Sequence, residues 1–302
     1  MSDATVLFQD GKGYERHMGR WSRLVGAKFL AWLGAPHGLH WLDVGCGNGA
    51  FTEELVTRCA PAAVTAIDPS DGQLAFTRTR PELKMVDFRI AGAQELPFPS
   101  ASFDVAVMAL VISFVPDPAH AVIELARVVR PGGIVATYMW DLTAGGTPVN
   151  PVVEAMKSLG LDPPLPPRSE ASRSDVLHNL WEGAGLESIE ARPISITVSF
   201  SSFDEFWESS SLPVGPLGKG SSCAPAFWKF TMAVPGRLRA NASCPSDGSI
   251  AVTLAGAQRA TISSVKAPFP QPTSSQSTPF GASSHARMSS PTSRLQRPIS
   301  RS

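Results

Sequence analysis

A chain of 302 residues, 43% hydrophobic and 17% charged, has the composition of a globular protein and a length suited to roughly two domains. Lys+Arg and Asp+Glu are each 26, which leaves no net basic field to hold nucleic acid or an anionic membrane. The N-terminus MSDATVLFQDGKGYERHM lacks the apolar core of a signal peptide, and apolar runs such as VAVMALVISFV (105–115) are too short to insert across a bilayer.

The first structured stretch, YERHMGRWSRLVGAKFLAWLG (14–34), places Trp21, Leu24, Val25, Phe29, Trp32 and Leu33 at spacings of three and four. That stripe predicts one or two amphipathic helices. From about residue 40 to 140 the pattern alternates between strands and helices, as in a parallel sheet covered on both faces. The expected strands are HWLDV (40–44), AAVTAID (62–68), VDFRIAG (86–92), FDVAVMALV (103–111) and GIVATYMW (133–140). The expected helices are 51–60, 71–80 and 118–130, the last ended by Pro131-Gly132-Gly133. Beyond them, DPPLPP (162–167) reads as a stiff loop, 172–185 as a helix, 186–200 as two edge strands separated by Pro193, and 203–210 as a short helix. From about 267 the chain is rich in Ser and Pro, and disorder is expected. The resulting division is a helical lid (1–38), a core (39–200), a cap (201–266) and a tail (267–302). Cys46, Cys59, Cys223 and Cys244 show no CxxC spacing, so we expect no metal site but reduced thiols in a cytoplasm.

The chemistry concentrates in WLDVGCGNGAF (41–51). Gly45-x-Gly47-x-x-Ala50 after a strand satisfies a dinucleotide fingerprint, and Asp68 follows at the end of the next strand, where such folds grip a ribose. A nicotinamide oxidoreductase is therefore one reading. Asp43 argues against it. A pyrophosphate at this turn would lie on a helix N-terminus, and a carboxylate two residues before Gly45 would repel it. Two unit charges at about 4 Å interact by roughly 1 to 4 kcal/mol. A ligand with a cationic amino-acid end gains the same amount.

LDVGCGNGAF, VTAIDPSDGQL, AQELPFPSASFDVAV and ELARVVRPGGIVA, in this order, resemble the class I S-adenosylmethionine-dependent methyltransferases of the small-molecule type, similar to quinone-biosynthesis methyltransferases. The resemblance covers residues 40 to 140. It implies an α/β, doubly wound, mostly parallel seven-stranded sheet of Rossmann-like type, with a small-molecule acceptor and no nucleic-acid partner. By the same resemblance, Asp43, Gly45, Gly47 and Gly49 turn around the methionine part of S-adenosyl-L-methionine. Asp68 takes the ribose hydroxyls, with Pro69 and Ser70 shaping that corner. Ala93 and Gln94 lie beside the adenine, and Leu110 and Val111 near the sulfonium. Many relatives carry an acid just before that Ala, where this chain has Gly92.

A general base is not evident. His37 and His40 precede the first strand, His120 and His178 lie on helices, and His285 is in the tail; only His17 could close over a pocket. Asp117 and Asp141 follow strands on the ligand side, where loop capping is the simpler role, and Asp104 begins a strand at the wrong end. Methyl transfer to a sufficiently nucleophilic acceptor needs mainly orientation. A non-catalytic S-adenosylmethionine-binding protein remains an alternative. Tyr14, Arg20 and Trp21, or the aromatics Phe200, Phe203, Phe206 and Trp207, are the candidates to roof the pocket.

Overall fold

The computed structural model describes residues 11–158, 160–163, 165–200, 202, 205–206 and 262–268. The strands are β1 (His40–Val44), β2 (Ala63–Asp68), β3 (Asp87–Ile90), β4 (Phe103–Ala109), β5 (Val129–Trp140), β6 (Glu190–Ile194) and β7 (Ile262–Pro268). The helices are α1 (Gly11–Tyr14), α2 (Arg20–Leu33), α3 (Ala50–Cys59), α4 (Asp71–Thr77), α5 (Pro118–Val128), α6 (Asn150–Ser158) and α7 (Ser174–Gly183). A π-helical turn, Glu15–Gly19, joins α1 to α2 without a break.

The strand order is β3-β2-β1-β4-β5-β7-β6, in which the first five run parallel and β7 pairs antiparallel with both neighbours. This is a Rossmann-like α/β fold. In β1 the consecutive residues Trp41 to Val44 are all buried, as are Val105 to Met108 in β4. Successive strand side chains point to opposite faces, so unbroken burial means that both faces are covered. One cover is α2, whose Trp21, Val25, Phe29, Leu30 and Leu33 enter the core. The Phe29 ring lies 4.7 Å from that of Tyr138 on β5 and 6.1 Å from that of Phe51 on α3. On α7, Trp181 is fully buried and donates its Nε1–H to the Val135 carbonyl at 3.1 Å.

Three departures from the sequence reading have local causes. First, α5 stops at Val128 and β5 begins at Val129, ahead of the expected Gly133. Pro131 disfavours helical backbone at Arg130 and so pulls the boundary upstream. Gly133 then lets the strands approach, since a Cβ there would lie 2.5 Å from the Asp104 carbonyl. Second, the segment expected as two strands holds one, and Pro193 sits inside it, paired with Ser263. β6 is an edge strand, where a missing N–H costs no ladder bond. Third, α6 and β7 occupy stretches for which no element was expected, and β7 spans the 266/267 boundary between cap and tail. Of the helix expected at 203–210, only Glu205 and Phe206 are among the described residues.

Candidate active site

The reversal of strand order around β1, with β2 on one side and β4 on the other, leaves a crevice at the strands' carboxyl ends. A cavity of about 470 Å³ occupies it, a size suited to a nucleoside cofactor with room for a small second ligand. Its wall contains Asp43, Gly45, Gly47, Asp68, Pro69, Ser70, Ala93, Gln94, Leu110 and Val111. Gly49 is not part of the wall. It stands at the N-cap of α3 with φ 78°, and a Cβ on it would lie 2.5 Å from the Thr77 methyl and 2.8 Å from Leu83. Glycine there serves packing behind the site rather than the wall itself.

The turn after β1 is held by its own amides. Gly45 and Cys46 donate to the Ile67 carbonyl, Gly47 to Asp68 Oδ2 at 2.9 Å, Gly49 to the Cys46 carbonyl and Ala50 to Asn48 Oδ1. These five N–H groups are thus engaged inside the protein and are not free for a pyrophosphate. Asp68 Oδ1 accepts from Ser70 N at 2.8 Å. Each Asp68 oxygen still has acceptor capacity facing the cavity. Burial raises its pKa, against the lowering effect of the two backbone bonds. The Ser70 hydroxyl accepts from Gln73 N and caps α4, which frees Asp68 from that duty.

Gly45 has φ 79°, and a Cβ would fall 2.5 Å from a Val111 methyl. Val111 therefore presses directly onto the turn, and only glycine allows it. Gly47 (φ 52°) and Gly92 have nothing within 4 Å of a Cβ position. At Gly92 a side chain is simply lacking, and the exposed Glu95 is an acid on the same wall.

Asp43 is fully buried at the end of β1. Thr52 Oγ1 donates to its Oδ2 at 2.7 Å, while Oδ1 is buried with no partner. Burial pushes its pKa up to about 7, with the Asp68 charge adding and the Thr52 bond opposing. Near neutral pH the Asp43 carboxyl is therefore only partly ionised, unlike the full negative charge expected from the sequence. A cation at Oδ1 would ionise it and satisfy the orphaned oxygen. An anion there would force the carboxyl to stay protonated.

Several wall residues escaped the sequence reading: Phe51, Glu95, Phe114, Val115, Pro116, Ser22 and Tyr138. Tyr138 lies near the carboxyl end of β5, and Leu110 directly follows β4, so proximity to a strand end was a usable signal. Ser22 carried none. The Tyr138 hydroxyl is buried without a partner, and burial pushes its pKa well up. Of the expected roof residues, Tyr14 lines the cavity, whereas Arg20, Trp21, Phe200 and Phe206 do not. Trp21, Phe200 and Phe206 pack on one another, with Arg20 5.5 Å over Phe200. Phe203 and Trp207 lie outside the described residues, as does the His17 side chain. His37, His40, His120 and His178 are exposed and off the wall. Asp117 caps α5 through His120 N, Asp141 holds Thr143 and Ala144, and Asp104 binds His40 N and Arg130. Cys46 and Cys59 are buried free thiols. Among the described residues no helix is long and apolar enough to cross a membrane.

A glycine turn, a strand-end acid and a buried carboxylate around a crevice at the switch point of a Rossmann-like sheet define a class: a domain that binds a nucleoside carrying a cationic tail. Residues 42–137 match the protein-family model described as a methyltransferase domain. That segment is a class I S-adenosylmethionine-dependent methyltransferase domain, and S-adenosyl-L-methionine is the cofactor of its class. The chain is 41% identical over 96 residues to 2-methyl-6-phytyl-1,4-hydroquinone methyltransferase 2, chloroplastic, of Oryza sativa subsp. japonica, which covers 32% of this chain and 28% of that protein. To the O-methyltransferase cnsE of Penicillium expansum it is 33% identical over 181 residues, 58% of this chain and 60% of the other. The chain therefore spans less than two thirds of the length of either relative. In fold it is similar to phosphoethanolamine N-methyltransferase 2 of Haemonchus contortus, solved in complex with S-adenosyl-L-methionine, with a TM-score of 0.54 over 90% of this chain and 61% of that one at 15% identity.

Proposed function

We propose that this protein transfers a methyl group from S-adenosyl-L-methionine to a small-molecule acceptor. The observation that carries the reading is the buried, unpartnered Oδ1 of Asp43 on the cavity wall. A buried acceptor without a partner costs roughly 1 to 3 kcal/mol, and an ammonium group removes that cost. The spent amides of the glycine turn oppose the nicotinamide alternative. In this reading Asp43 and the turn at Gly45 and Gly47 hold the methionine part, Asp68 the ribose, Pro69 and Ser70 its corner, and Ala93 and Gln94 the adenine. Leu110 and Val111 flank the reacting end. When bound, the cofactor supplies an activated methyl group on a sulfonium.

The chain's own contribution is orientation and exclusion of water. The wall at Phe114, Val115 and Pro116 is apolar and lies next to Val111, which suits an acceptor with an apolar body. Among the described residues no histidine is on the wall, so in this reading the acceptor is nucleophilic without a histidine base, and catalysis rests on proximity, worth roughly 7 to 11 kcal/mol in favourable cases. Titration calorimetry is the test. S-adenosylhomocysteine binds and NADH does not; tight NADH binding without any uptake of the thioether overturns the assignment. Methyl-transfer assays over an acceptor panel then separate an enzyme from a mere binder.

A further inference from the structure

Glu15 and Arg80 are distant in sequence, and the cavity does not include either. They nevertheless meet behind the glycine turn. Arg80 Nη2 donates to Glu15 Oε2 at 2.5 Å, Arg80 Nη1 to Glu53 Oε2 at 2.6 Å, and Arg80 Nε to the Asn48 carbonyl at 2.7 Å. Asn48 Nδ2 donates to Glu15 Oε2 at 2.7 Å, and Arg23 pairs with Glu15 Oε1. Two carboxylates and two guanidinium groups thus balance in charge around a buried asparagine of the turn itself. The Arg80 side chain is only 12% exposed, so this is not the isolated, screened surface pair that contributes almost nothing.

The geometry around the network is specific. Glu15 opens the π-helical turn Glu15–Gly19, an irregularity that tends to mark functional segments. Its neighbour Tyr14 is on the cavity wall beside Ser22. Gly19 makes room for the Glu15 carboxyl, which would lie 2.7 Å from a Cβ at that position. Glu15 is the only one of the four charged groups that lies before α2 in the chain.

We propose that the Glu15–Arg80–Asn48 network is a latch that holds Tyr14 and the π-helical turn over the donor cavity, making Glu15 and Arg80 positioning residues for cofactor retention. Asn48 ties the latch to the turn that contacts the cofactor, so an ordered turn and a closed segment reinforce each other. A plain structural brace would contribute to folding stability alone. A latch governs how long the ligand stays.

The proposal rests on the donor-site reading, and the test separates the two. S-adenosylhomocysteine release is followed by stopped-flow tryptophan fluorescence, with thermal melting in parallel, for the wild type, Glu15→Gln, Arg80→Lys and Gly19→Ala. Glu15→Gln and Arg80→Lys are expected to speed release about tenfold, equivalent to about 1.4 kcal/mol. Lysine keeps the charge but cannot reproduce the fork that reaches Glu15, Glu53 and Asn48 together. Gly19→Ala discriminates most sharply. It improves helix propensity by up to about 1 kcal/mol while intruding on the Glu15 carboxyl, so release quickens without a matching fall in melting temperature. If the wild type takes up no S-adenosylhomocysteine, the donor-site reading and the latch fall together. If it does, and the folded variants release the ligand at the wild-type rate, the latch alone is refuted.

Discussion

At the scale of single residues, Asp43 links binding to acidity. Its pKa in the fold, about 7, lies above the ordinary 3.8. The folded protein therefore holds a proton that the unfolded chain has released. Stability is unaffected by this group below about pH 4, declines as pH rises through the interval up to 7, and is lowest above it, by about 4 kcal/mol in total. Asp43→Asn never ionises and still offers Thr52 an acceptor. Its melting temperature at pH 8 should exceed that of the wild type, whereas its affinity for S-adenosylhomocysteine falls at least about tenfold through loss of the charge. In the wild type that affinity should tighten between pH 6 and 8, and calorimetry in buffers of different ionisation heat should register proton release. Gly45→Ala combines a positive φ with a collision at Val111. Such strain costs about 1 to 3 kcal/mol, so we expect a melting point lower by several degrees and no measurable ligand uptake. The identities of Asp43, Asp68 and the glycines were legible because each sits at a strand end in a short motif. The orphaned oxygen, the spent amides and the displacement of Gly49 from the wall were not, because they depend on which groups meet across the chain.

Secondary-structure elements were legible wherever local rules act alone. β1 fell where expected, because HWLDV is bounded by the turn that follows it, and α5 began at Pro118 with Asp117 as its cap. Removing that cap with Asp117→Ala should lower the unfolding free energy in a denaturant titration by about 1 kcal/mol, with ligand affinity unchanged, since the Asp117 carboxylate binds His120 N and not the wall. The strand at Pro193 was not legible. An edge position permits proline, but which strand lies at an edge is settled only once distant segments pair. Glu15 was hidden for the same reason, because its partners Arg23, Asn48 and Arg80 come from α2, the turn before α3 and the stretch after α4.

For the whole molecule, β7 is decisive. It lies between β5 and β6 and pairs antiparallel with both along their length, from Ile134↔Pro268 to Trp140↔Ile262 on one side and from Glu190↔Lys266 to Ile194↔Ile262 on the other. A chain cut after Phe206 would lack this strand and leave the edge of β5 bare. Open edges of this kind recruit other chains, so the truncated protein should aggregate, as read by light scattering, even though every wall residue of the cavity is retained.

The position of β7 also sets a schedule for biosynthesis. The last of the described wall residues, Tyr138, has left the ribosome early, yet the strand that finishes the sheet starts only at Ile262. At typical elongation rates of 5 to 20 residues per second, that interval lasts roughly ten seconds. During it, a nascent chain can already offer a formed pocket to the methyl donor while one flank of its sheet still waits to be sealed.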